Sequence, residues 1–131
     1  MRRAFLSIAL LLAACSDVSN PAVGPLASDG AGVKLVSNAT ASGLPTVVEF
    51  GAETCASCRH MKVVLDNVAH STQGRAHVLS IDITKDWPTA EHYRIQMMPT
   101  QVFFGPDGRE TSRHMGKLSE EEVLARLAAG S

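Results

Sequence analysis

The run Thr46-Val47-Val48-Glu49-Phe50, followed three residues later by Thr54-Cys55-Ala56-Ser57-Cys58, decides how the rest of the chain is read. Its first part is short, apolar and β-branched, which reads as a buried strand. Beyond the second part, Met61, Val64, Leu65 and Val68 recur at the i, i+3, i+4, i+7 spacing of a helix packed by one face. The two thiols therefore fall at a strand-to-helix junction. The first turn of a helix offers free backbone N–H groups and the positive end of the helix dipole, and both favour a thiolate over a thiol. A cysteine so placed has its pKa lowered from about 8.5 into the range of roughly 3.5–7.5, which makes Cys55 a candidate nucleophile at neutral pH. Cys58, one turn further on, is close enough to close a ring with Cys55 and release whatever Cys55 has captured.

The 131 residues, 45% apolar and 19% charged, fit one globular domain with room for a leader and a tether. The formal net charge is −1 and no basic cluster stands out, so nucleic acid is not an expected partner. Met1-Arg2-Arg3 is a basic n-region, and Ala4 to Ala14 is an apolar run too short for a bilayer, which takes about 20 helical residues. Residues 1–14 therefore read as a signal peptide. The run ends Leu12-Ala13-Ala14-Cys15, which resembles the lipobox of bacterial lipoproteins. That resemblance implies cleavage before Cys15, lipidation of Cys15, and a lipid anchor on the periplasmic side of a bacterial membrane. Ser16 follows the lipidation site, with Asp17 one further on, and this leans only weakly to the outer membrane. The competing reading is an ordinary secretory signal with Cys15 incidental. Residues 15–32 are rich in Ser, Asp, Asn, Pro, Ala and Gly without periodicity, and read as a flexible tether.

With Cys15 lipidated, Cys55 and Cys58 remain as a single pair. A bridge across two intervening residues closes a very small loop and stabilises little, so the pair reads as chemical and not structural. Zinc would need two further ligands and no second cysteine pair exists. Copper(I) is a stronger rival, because Met61, Met97, Met98 and His60 are soft or imidazole donors within reach in sequence. Packing is the plainer use of those methionines.

The expected domain is 33–131. Val33 to Val36 reads as a short edge strand and Ser37 to Leu44 as a loop or weak helical turn. Strand Thr46 to Phe50, helix Cys55 to Ala69 and strand Ala76 to Ile83 follow. Asp86 caps a helix that opens with Trp87-Pro88 and runs to about Arg94. Gln101 to Phe104 and Arg109 to Met115 are strands joined by a turn at Pro106-Asp107-Gly108. Ser119 with Glu122 is a capping box for a last helix carrying Val123, Leu124 and Leu127. This order indicates an α/β fold, a central mixed sheet with helices on both faces.

From Val33 to Ala129 the chain resembles the thioredoxin family. The Cys55–Cys58 pair opens the first long helix. Glu49 stands six residues before it, Met98-Pro99-Thr100 matches an x-Pro-Thr motif, and Gly116 follows the last strand. The Phe103-Phe104 run, the Asp107-Gly108 turn and the capped last helix look most like the carboxy-terminal domain of the periplasmic membrane reductase, or small periplasmic lipoprotein members. The resemblance implies a thiol:disulfide oxidoreductase with no cofactor beyond the Cys55–Cys58 disulfide. Cys55 attacks, Cys58 resolves, Glu49 relays a proton, and Pro99 is cis and lies against the disulfide. Thr54, Met98 and Gly116 line the substrate groove. The implied partners are protein disulfides and a membrane electron donor, and the protein is expected to be a monomer.

Three departures stand out. Thr54 replaces the usual Trp before the first cysteine, Ala56-Ser57 replaces the usual connecting pair, and Val78 occupies the place of the lysine that often partners the buried acid. Because the connecting pair affects redox poise, disulfide oxidant stands beside reductant. A copper(I) chaperone and a redox-inert interaction lipoprotein are the readings from other classes. Glu49 is either a buried relay or an exposed strand carboxylate, and Trp87 either covers the groove or packs the second helix. Arg59 and His60 either raise the local potential or are simply solvated.

Overall fold

A computed structural model describes residues 30–131. The expected signal peptide 1–14, the lipidation site Cys15 and most of the tether lie outside the described residues. The elements are α1 (Ala31–Thr40), β1 (Thr46–Gly51), α2 (Ala56–Thr72), β2 (His77–Asp82), α3 (Trp87–His92), β3 (Thr100–Phe104), β4 (Glu110–Met115) and α4 (Glu120–Ala129). The sheet order is β2-β1-β3-β4, with β1 parallel to β2 and β3 antiparallel to both β1 and β4. The sheet is thus mixed, as the element order implied.

Alternation along β1 divides the core between the two faces. Val48 and Phe50 join Val36 of α1, Ala90 of α3, Ile81, Val102 and Phe104 in one apolar cluster, against which Tyr93 packs. Val47 joins Met61, Leu65 and Val68 of α2, Phe103, and Val123 and Leu127 of α4 in the other. Every residue of β1 is buried, as expected of a strand covered on both faces. The capping box at Ser119 and Glu122 is formed in both directions, and Asp86 accepts the Thr89 N–H as the cap of α3.

One expectation is corrected. Val33 to Val36 is not an edge strand; it lies in the middle of α1, which also takes in the first half of Ser37 to Leu44 and begins within the stretch read as tether. Its buried residues are Gly32, Val36 and Ala39, a helical spacing. The helix has no cap from its own chain neighbourhood. Its first turn is satisfied from α3 instead, where Asp86 Oδ2 accepts the Gly32 N–H at 2.8 Å and Thr89 Oγ1 accepts the Val33 N–H at 3.1 Å. A Cβ on Gly30 or Gly32 would collide with those same two side chains. Two valines in four residues therefore give a misleading local signal where the cap comes from 54 residues away.

Candidate active site

Cys55 is the N-cap of α2, in extended backbone conformation, and its sulfur accepts the Cys58 N–H at 3.3 Å. The Ser57 hydroxyl lies 3.2 Å from the same sulfur. Cys55 and Cys58 form a disulfide with Cα atoms 5.2 Å apart. Cys55 is half-buried while Cys58 is only 4% exposed, so one sulfur meets solvent and the other faces inward. When the bridge is reduced, the helix N-terminus, the Cys58 N–H and the Ser57 hydroxyl all favour a thiolate on Cys55.

Beneath the pair, Glu49 is 4% exposed, so it is the buried carboxyl and not an exposed strand residue. Burial pushes its pKa above the ordinary 4.5; the Ser80 hydroxyl and the Lys62 charge pull it back, and Asp82 adds to the rise. The lysine position of the resemblance is filled by Val78, which pairs with Val47 and packs on the α2-face core. Compensating charge comes instead from Lys62 on α2. Glu49, Cys58, Lys62, Ser80 and Asp82 line one cleft of about 330 Å³ whose floor includes Gly51. A Cβ at Gly51 would collide with Glu49 Oε1 and stand 3.1 Å from Cys58 Sγ. Glycine here is what lets the carboxyl and the inner sulfur approach each other.

The remaining groove residues are placed by register. Phe50 pairs with Thr100, and Thr100 with Met115, so Gly51, Pro99 and Gly116 come side by side at the end of the sheet from which the Thr54–Cys58 segment leaves. Pro99 is cis and buried, and its carbonyl accepts the Gly116 N–H at 2.8 Å. Gly116 has φ +106°, a conformation that favours glycine. Thr54 is exposed, as are Met98 at 39% and Met115 at 55%, giving the rim an apolar character. Trp87 is 57% exposed and so contributes little to the core. Arg59 and His60 are both solvated, and the Arg59 guanidinium donates to the Glu53 carbonyl.

For the metal reading, Met61 is fully buried in the α2-face core and its sulfur accepts the Leu118 N–H. Among the described residues no three His, Cys, Asp or Glu side chains converge as a metal site. Sequence reasoning missed Ser57 as a partner of Cys55, Gly51 as the point of close approach, and Gln101. Ser57 lies inside the motif and Gly51 shortly before it, yet their roles depend on distances that spacing does not reveal. Gln101 is fully buried on β3, directly opposite Glu49.

The thioredoxin family profile matches residues 34–129. A thioredoxin of Pseudomonas aeruginosa is 33% identical over 85 residues, covering 65% of this chain and 78% of that one. A thioredoxin of Chlamydia pneumoniae is 37% identical over 91 residues, covering 66% and 81%. Among solved structures, a chloroplastic thioredoxin z superposes with a TM-score of 0.66 at 27% identity, covering 76% of this chain and 91% of its own.

Proposed function

This chain belongs to the thioredoxin family, and from that premise we propose that it reduces protein disulfides outside the cytoplasm while tethered to a membrane. It is a thiol:disulfide oxidoreductase whose redox group is the Cys55–Cys58 pair. The observation that carries the reading is the asymmetry of that pair, an accessible sulfur held by donors at a helix N-terminus and a buried sulfur beside a buried carboxyl.

The Cys55 thiolate attacks one sulfur of a substrate disulfide. A Cys55–substrate disulfide forms and the other substrate sulfur leaves as a thiolate that takes a proton from solvent. Glu49, in its carboxylate form, then accepts the proton of the Cys58 thiol. The Cys58 thiolate attacks Cys55 Sγ, closes the Cys55–Cys58 disulfide and expels the second substrate sulfur. That second sulfur leaves as a thiolate and takes the proton held by Glu49, so the substrate has gained two electrons from the protein, one proton from Cys58 by way of Glu49 and one from solvent. A membrane electron donor restores the dithiol. Pro99 and the backbone of Met98 border the groove, while Thr54, Met98 and Gly116 give it an open, largely apolar rim suited to an extended peptide.

The extracytoplasmic and tethered part of the proposal rests on the leader sequence and on Cys15, whose lipid would hold the domain at the membrane while residues 16–29 give it reach. Trapping tests the chemistry. Full-length Cys58→Ser should accumulate mixed disulfides through Cys55, and Cys55→Ser should accumulate none. Equal trapping by Cys55→Ser, or none by Cys58→Ser, would overturn the assignment of roles.

A further inference from the structure

A row of four polar residues crosses the sheet on the face covered by α2. Glu49 of β1 pairs with Ser80 of β2 on one side and with Gln101 of β3 on the other, and Gln101 pairs in turn with His114 of β4. Directly paired residues project from the same face, with Cβ atoms about 4.5–5.5 Å apart. The neighbouring pair on that face, Val47 opposite Phe103, is apolar and belongs to the core. Gln101 has no exposed surface, and neither its Nε2 nor its Oε1 has a hydrogen-bond partner among the described residues. Glu49 Oε1 is likewise buried and unpartnered. Buried polar groups as a rule find partners, because an unmade hydrogen bond there is expensive. Two such groups on directly paired positions are each other's natural partners, by a side-chain rotation or through one intervening water.

We propose that Gln101 is a positioning residue for Glu49, its amide giving the buried carboxyl a hydrogen-bond partner in both of its protonation states. The inference rests on the reading of Glu49 as the proton acceptor for Cys58. An amide is suited to this place because its N–H donates to a carboxylate and its carbonyl accepts from a carboxylic acid. An apolar side chain could do neither, and a charged one would bias the proton.

Among the other groups around Glu49, the Ser80 hydroxyl already bonds the carboxyl while Oε1 stays without a partner, and the charged groups are engaged elsewhere. From α2 come Cys58, Arg59, bonded to the Glu53 carbonyl, and Lys62, paired with the exposed Asp66. From β2 come Ser80 and Asp82; Asp82 is held by Thr84 and Lys85. The loop after β1 contributes Glu53, paired with Lys85. On the β3 side Gln101 stands between Glu49 and His114 of β4, and Glu122 of α4 interacts with His114.

The test compares Gln101→Met, which keeps the volume and removes the amide, with Glu49→Gln and with the double variant, all in the full-length protein. Gln101→Leu serves if the Met variant folds poorly. Carbon-NMR titration of the Glu49 carboxyl should move upward in Gln101→Met, because the bond lost to the charged form is the stronger one. Decay of the Cys55 mixed disulfide should slow about tenfold near neutral pH, part of the 10²–10⁴ that a positioned general base contributes. In the Glu49→Gln background the same substitution should slow nothing further. An unmoved Glu49 titration, or equal slowing in that background, would overturn the proposal. Should Glu49→Gln itself leave the decay unchanged, the relay reading would fail on its own, and the titration would still decide whether Gln101 holds Glu49.

Discussion

The two faces of the sheet do different work. The face under α1 and α3 is apolar at its centre, with Val48, Phe50, Val102 and Phe104 closed over by Val36, Ala90 and Tyr93, and the hydroxyls of its buried Thr46 and Thr100 are hydrogen-bonded. Its helices are locked together by Asp86, which caps α3 and also accepts from the start of α1. The face under α2 and α4 is apolar only towards the end remote from the disulfide. Nearer the disulfide it holds the buried Cys58 and, with hydrogen-bonding capacity unfilled, Glu49 Oε1 and the Gln101 amide. One face supplies stability, and the other gives up some of it to keep a proton acceptor next to a thiol. The same strand serves both because successive side chains of β1 point to opposite faces.

That division predicts separable effects. The largest in stability belongs to the apolar face. Phe104→Ala removes a ring packed against Tyr93 and should lower the unfolding free energy by about 3–5 kcal/mol, with disulfide exchange per folded molecule unchanged. Denaturant melts paired with an exchange assay check both halves, and a large loss of exchange would break the comparison. Next comes Glu49→Leu, which should raise stability at neutral pH by about 1–3 kcal/mol while slowing exchange. The sign follows from linkage. Because the folded-state pKa of Glu49 lies above 4.5, the folded protein binds more protons than the unfolded chain in the window from 4.5 up to that raised value. Wild-type stability therefore falls as pH rises through the window, and the advantage of Leu should shrink as pH is lowered through it. Melts of both proteins across that range would show whether the gap closes. The smallest effect is that of Asp86→Ala, about 1 kcal/mol for a lost cap, with amide exchange rising in the first turns of both α1 and α3. Faster exchange in α3 alone would show that the bond to Gly32 is idle.

How much of this was legible in the sequence depended on where each signal originates. The strand Thr46 to Phe50, the helix after Cys55 and the Ser119–Glu122 cap are announced by residues inside the elements themselves. The burial of Glu49 could be read from its position in a strand without polar alternation. The helix α1 was misread because its cap lies in α3 and its apolar residues are few. Lys62 as the source of charge near Glu49, the closeness that Gly51 permits and the pairing of Gln101 with Glu49 all depend on register and on helix facing. A Gln amid Val, Phe and Phe carries no local mark of what lies opposite it. The site was therefore legible at Cys55 and Cys58, where chemistry and spacing coincide, and at Pro99 through the family resemblance, and not in the residues that act through others.

The reduction potential of the Cys55–Cys58 pair in the full-length protein, measured by equilibration with glutathione or dithiothreitol, tests the proposed direction of electron flow most directly. The account predicts a value near about −270 mV, that of a thioredoxin reductant. A value near about −120 mV, that of a strong disulfide oxidant, would contradict it.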